Sequence, residues 1–265
     1  MFQNALCFSF GGIELFYFLL FTNVISAYIT IMSWLTQTLS SSLGRKVIMA
    51  LTGLFLCTFL VVHMAGNLQL FKGDEGRAFN EYTYFMTHNP LIITVSYLLY
   101  ASILIHTTMA LILTRHNQAS RPVRYAFERP EANSPWTSRN MGILGTVLFI
   151  FILIHMRTFW YTMHFGSVPL VQYEQDGQMY KDLYKVVTLA FSNGWYTLFY
   201  VLAMAALSFH LVHGFKSGFQ SLGIRHKKYT PLIEWLGIYV FSILIPALFA
   251  AMPVYVYLKA HGYIG

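Results

Sequence analysis

Four histidines, His63, His106, His155 and His210, each lie inside a different long apolar segment: VIMALTGLFLCTFLVVHMAGNLQLF, LIITVSYLLYASILIHTTMALILT, MGILGTVLFIFILIHMRTFWYTM and WYTLFYVLAMAALSFHLVHGFKSG. An ionisable side chain inside a membrane segment is costly, and its presence there points to function. Neutral imidazole is a good axial ligand for haem iron, and its second ring nitrogen can donate to a hydroxyl or carbonyl that orients it. A lone histidine of this kind also serves as a packing or hydrogen-bonding residue. Four that sort by depth into two pairs point instead to two bis-histidine haems, which suit single-electron transfer because no axial position stays open.

The elements that must carry these residues are membrane-spanning helices. The chain has 265 residues, 56% hydrophobic and only 10% charged, which is far from the balance of soluble domains. Five apolar stretches, 47–71, 91–114, 141–163, 195–218 and 232–258, are each long enough to cross the hydrocarbon core, which takes about 20 residues. The reading is an all-α polytopic membrane protein, a five-helix transmembrane bundle with room for an extra N-terminal apolar helix. The longest polar connections, 115–140 and 164–194, are too short and too poor in apolar residues for a separate core. Cys7 and Cys57 form neither a disulfide framework nor a metal-ligand spacing.

Lysine and arginine in short loops orient the helices. One side collects Arg45, Lys46, Arg115, Arg121, Arg124, Arg129, Arg139, Lys216, Arg225, Lys227 and Lys228; the other has Lys72, Arg77, Arg157, Lys181, Lys185 and Lys259. The richer side is expected to be cytoplasmic, with a basic face for anionic lipid or a soluble partner. His63 and His155 then fall in the outer half of the membrane, about 16 and 14 residues past the cytoplasmic starts of their helices. His106 and His210 each precede a cytoplasmic end by about eight residues, roughly 12 Å. The expected pairs are His63 with His155 and His106 with His210.

Other residues are read around these pairs. Gly53, Gly145 and Gly214 would let a flat macrocycle approach the backbone. Haem propionates need cationic partners near the water boundary, for which Arg157 is the outer candidate and Arg45 and Lys216 the inner ones. His213 rivals His210 from nearly the same helix face, and depth favours His210. His88, His116, His164, His226 and His261 fall in loops, interfaces or the tail and read as solvated. Pro246 and Pro253 are expected to kink the fifth helix. Residues 1–31 read as an apolar extension lacking the basic region of a secretory signal; a start at Met32, opening a domain 32–265, is the favoured expectation.

At these residues the chain resembles the dihaem cytochrome b membrane-anchor subunit of succinate dehydrogenase and fumarate reductase, the single-anchor five-helix type of bacteria. The similar stretches include SSSLGRKVIMALTGLFLCTFLVVH, FNEYTYFMTHNPL and FHLVHGFKSGFQSLGI, and residues 1–31 lie outside the resemblance. It implies that His63, His106, His155 and His210 ligate two haems b. It also implies a complex with a flavoprotein subunit, where succinate and fumarate interconvert, and an iron-sulfur subunit on the cytoplasmic face of the bacterial inner membrane. Electrons would pass between the iron-sulfur subunit and membrane quinone, menaquinone or ubiquinone, as part of the respiratory chain and tricarboxylic acid cycle; no nucleic-acid partner is expected.

Quinone reduction takes up protons, and Glu81, in the connection after the first helix, is the candidate for that role. It also reads as a solvated helix-end charge. Glu234 reads as a favourable charge at a helix N-terminus. Two other functions fit intramembrane histidines: a cytochrome b subunit of a formate dehydrogenase or hydrogenase, and a transporter in which histidines relay protons.

Overall fold

The computed structural model describes residues 7–120, 132, 134–173 and 177–264. Arg121, Arg124 and Arg129 of the basic side lie outside them. Five helices among the described residues are long and apolar enough to cross a membrane: Ser42–Phe71, Pro90–Ala119, Met141–Phe165, Gly194–Ser221 and Thr230–Ala260. Contacts divide the chain into two units, Met1–Lys46 and Val47–Gly265.

The first unit is built on α1, Cys7–Ser40, which passes through Met32 without a break. Its hydroxyls return to carbonyls of the same helix, Thr30 to Ser26 at 2.8 Å and Thr36 to Met32 at 2.9 Å. That is how a polar residue sits in an apolar helix without an unmet hydrogen bond.

The second unit holds the bundle. Helix α2, Ser42–Asn67, begins just before it and tightens into a 3-10 turn at Leu68–Phe71. A short helix α3, Arg77–His88, leads into α4, Pro90–Ala119. A single turn at Trp136–Arg139 precedes α5, Met141–Phe165, which carries a π-helical stretch at Met156–Trp160. An antiparallel hairpin of β1, Leu170–Gln172, and β2, Met179–Lys181, pairs Val171 with Tyr180. Then follow α6, Leu183–Phe191, α7, Gly194–Ser221, and α8, Thr230–Ala260. The outward faces of the spans carry apolar side chains such as Leu91, Leu104, Ile143 and Leu202, all more than half exposed. This suits a hydrocarbon surround and would be a liability in water.

The connections read as plain polar loops are folded where α3, the hairpin and α6 cap one end of the bundle. Asn80, 1% exposed, donates to the Tyr173 hydroxyl and to Asp182 Oδ1, both at 3.0 Å, and accepts from the Tyr184 amide at 3.0 Å. Asp182 Oδ1 also caps α6 through the Lys185 amide at 3.1 Å. Burial and the carboxylates of Asp182, Asp74 and Glu81 push the Tyr173 hydroxyl above its ordinary range, against the hydrogen bond from Asn80. Asn89 and Asn193 cap α4 and α7 at the same end, and Pro90 at the first helical position of α4 suits its fixed φ.

Three histidines read as solvated, and exposed in the structure, also close the C-termini of helices here. His88, His164 and His261 each place Nδ1 2.8–2.9 Å from the carbonyl four residues back, on Tyr84, Trp160 and Tyr257. Each ring also packs on that residue's aromatic ring. The core beneath the cap is aromatic, with Phe79, Phe191 and Tyr200 buried alongside Leu70, Val187, Met252 and Val256. Towards the opposite end a smaller cluster joins Cys57, Leu211 and Phe215.

Helix α8 continues through Pro246 and Pro253 to Ala260, with a π-helical stretch at Leu236–Leu244 ahead of the first proline. Pro246 has no N–H for the carbonyl of Ser242 four residues back. Ser208 of α7 donates its hydroxyl to that carbonyl, and Ser242 Oγ donates to Gly237 O at 2.6 Å.

Candidate functional site

The structure brings the four intramembrane histidines together as two pairs. The rings of His63 on α2 and His155 on α5 lie 5.8 Å apart, centroid to centroid, at 88°. Those of His106 on α4 and His210 on α7 lie 6.4 Å apart at 63°. His213, three residues on and half-buried, is not the ring that meets His106. Metal–nitrogen bonds of about 2.0–2.1 Å to two opposed imidazoles place ring centroids about 6 Å apart, so both spacings suit two ligands on one metal. Among the described residues no group of three or more metal-binding side chains forms.

The four rings differ in their partners at Nδ1. Nδ1 of His155 lies 3.1 Å from the Tyr200 hydroxyl, Nδ1 of His106 3.1 Å from Thr52 Oγ1, and Nδ1 of His63 3.4 Å from Asn67 Nδ2. Nδ1 of His210 is buried without a partner. No hydrogen bond to Nε2 of these rings is seen among the described residues; hydroxyl partners at Nδ1 let His155 and His106 keep the Nε2 lone pair for a metal, whereas Nδ1 of His63 faces an amide donor.

The two pairs have different walls. Around His63 and His155 stand Phe59, Phe151, Phe159, Tyr200 and Phe249, with Phe59 stacked on His63 at 5.0 Å. Around His106 and His210 stand glycines. A Cβ at Gly53 would meet Cε1 of His106 at 3.1 Å, and one at Gly145 or Gly214 would lie 3.9 Å from the His210 ring. Each of the three glycines expected to clear space for a flat group thus borders an imidazole.

The charged candidates are all partly accessible. Arg157 lies in the π-helical stretch after His155, its guanidinium 4.6 Å from the centre of the Tyr161 ring. Arg45 is half-buried in the first turn of α2. Lys216 is engaged by Glu234 at 2.6 Å. Glu234 lies beyond the first turn of α8 and serves as this ion-pair partner, not as the helix N-terminal charge that was expected. Glu81, on α3, is bound by Arg77 at 2.7 Å with both side chains 39% exposed, the geometry of a solvated i,i+4 pair.

The sequence reading overlooked Tyr200, Tyr196, Thr158 and Thr52. Nothing in the local sequence marks Tyr200 or Thr52, because their roles depend on which faces of separate helices meet. Comparison with protein-family models, with curated proteins and with solved structures finds no match for this chain.

Proposed function

We propose that this chain is the dihaem cytochrome b membrane-anchor subunit of a succinate dehydrogenase or fumarate reductase. The observation that carries the reading is the presence of two histidine pairs, 5.8 and 6.4 Å between centroids, in one bundle of membrane-length helices. The resemblance in SSSLGRKVIMALTGLFLCTFLVVH, FNEYTYFMTHNPL and FHLVHGFKSGFQSLGI directs it to this family. His63 with His155 would hold one haem b, and His106 with His210 the other. Held by these histidines, the haems would supply one-electron carriage.

The chain's own residues hold, orient and shield. The apolar spans exclude water from both pairs, and Arg157, Arg45 and Lys216 are assigned to propionates. Glu81 is assigned to proton supply for quinone at the capped end, on release from Arg77. The basic end would face the cytoplasm of a bacterial inner membrane and receive the iron-sulfur subunit, with the flavoprotein beyond it. A charge moved across the membrane potential is worth about 2.3 kcal/mol per 100 mV, so two pairs at different depths give such a chain a reason to be long.

A reduced-minus-oxidised spectrum with haem quantitation tests this reading. Two b-type haems per chain are expected, with one lost in His63→Ala and one in His210→Ala. Absence of haem, or a stoichiometry that neither substitution changes, rejects it, and colourless protein points to histidine proton relay. Copurification of a hydrogenase or formate dehydrogenase in place of a flavoprotein and an iron-sulfur protein would keep the haems and reject the assigned complex.

A further inference from the structure

The hydroxyl at Tyr200 lies between that of Tyr196 and the His155 ring, 3.1 Å from each. Tyr196 donates its proton to Thr158 Oγ1 at 2.9 Å. Its oxygen, 3.1 Å from that of Tyr200, is therefore the acceptor in that contact, and the Tyr200 proton is committed to Tyr196. A hydroxyl carries one proton. Tyr200 has none left for Nδ1 of His155 at 3.1 Å, so its oxygen accepts there and the imidazole donates.

The same count holds at the second pair. Thr52 has two carbonyl acceptors for its proton, Ile48 at 2.8 Å and Met49 at 3.2 Å, which leaves its oxygen to accept from Nδ1 of His106 at 3.1 Å. Tyr200 is 6% exposed and its ring packs edge-on to Phe151 and Phe191 at 4.9 and 4.8 Å, so its oxygen is held in place between Tyr196 and His155.

We propose that Tyr200 and Thr52 are positioning residues that hold His155 and His106 as Nδ1–H tautomers, with the Nε2 lone pair presented to a metal. Each pair then has one imidazole oriented by a hydroxyl and one that is not: His210 has no partner at Nδ1, and Nδ1 of His63 faces the Asn67 amide at 3.4 Å, a group that donates one N–H to the His63 carbonyl at 2.8 Å and has a second left for the ring. The assignment of tautomers stands on the hydrogen bonds alone, while its consequence for a bound haem rests on the proposed function. Donation from Nδ1–H raises the basicity of the ligating nitrogen, which stabilises the oxidised metal and lowers its potential.

The test uses Tyr200→Phe, which keeps the ring, and Tyr196→Phe, which keeps Tyr200 but frees its proton to turn towards His155. If the purified protein contains haem, potentiometric titration should show one of two midpoint potentials shifted upward in Tyr200→Phe, with the other unmoved and haem content retained. Tyr196→Phe should move the same midpoint by a smaller amount. Unchanged midpoints in both variants, or an equal shift of both midpoints, would overturn the proposal. If the protein contains no haem, the proposed function fails separately, and 15N spectra of labelled histidine decide the tautomer, with the His155 signal identified by its loss in His155→Gln. Nδ1–H in the parent and a mixture in Tyr200→Phe support the proposal; Nε2–H in the parent refutes it.

Discussion

The two histidine pairs present similar ring separations inside very different walls. At the capped end His63 and His155 are packed among Phe59, Phe151, Phe159, Tyr200 and Phe249, beneath a lid knit by Asn80. At the other pair the neighbours are Gly53, Gly145, Gly214 and Thr52. One site is defined by what is packed around the rings, the other by what is missing beside them. Ring position at the first should therefore depend on core volume, and at the second on clearance. Large-to-small changes should damage the former, small-to-large changes the latter.

The largest effect is expected from Phe191→Ala. Phe191 is 4% exposed and lies 4.8 Å from Tyr200 and 5.8 Å from Phe159, so its loss opens a cavity behind the His155 wall. Truncating a buried Phe costs roughly 3–5 kcal/mol. Thermal unfolding in detergent should show the loss, while the surroundings of His106 and His210 stay intact; equal disturbance of both pairs would break the comparison. Next comes Asn80→Ala, which strips the Tyr184 amide of its acceptor and Asp182 of a donor at a cost of about 1–3 kcal/mol. Hydrogen exchange should quicken in α3 and α6 and leave the middle of α7 unchanged.

A smaller effect sharpens the other half. Gly53→Ala sets a methyl group 3.1 Å from the His106 ring, whereas Gly145→Ala and Gly214→Ala add one at 3.9 Å, an ordinary contact. Overpacking costs about 1–3 kcal/mol, and the low end applies because an imidazole can shift a few tenths of an ångström. Gly53→Ala should lower the thermal midpoint while Gly145→Ala leaves it unchanged. A reversal of that order would mean that helix propensity, not clearance, dominates at these positions.

What the residues disclosed before folding follows the same division. The spans, the four histidines and their pairing by depth were legible because helix rise converts position into depth, and the glycines because only their absence of a side chain matters. The packed end was not legible. Asn80 acts across roughly a hundred positions to Tyr184 and Asp182, and Tyr200 meets His155 through faces that no periodicity singles out in a helix apolar all round. His88, His164 and His261 did carry a local signal, an aromatic residue four positions earlier, which their placement in the connections concealed. The π-helical stretches in α5 and α8 have no counterpart in the hydrophobic pattern.

The smallest predicted effect concerns how the glycine-lined pair is held in place. Ser208 stands two residues before His210 and ties α7 to α8 by donating to the Ser242 carbonyl, which Pro246 cannot serve. Polar ties between membrane helices average about 0.6 kcal/mol and reach roughly 1.7, so Ser208→Ala should cost about that much. Pro246→Ala restores an N–H that competes for the same carbonyl, which makes the serine redundant. The double substitution should then cost less than the sum of the two single ones, a coupling that a thermodynamic cycle on the purified protein measures. Additive costs would show that Ser208 contributes through packing alone, and that the position of His210 owes nothing to the proline in the neighbouring helix.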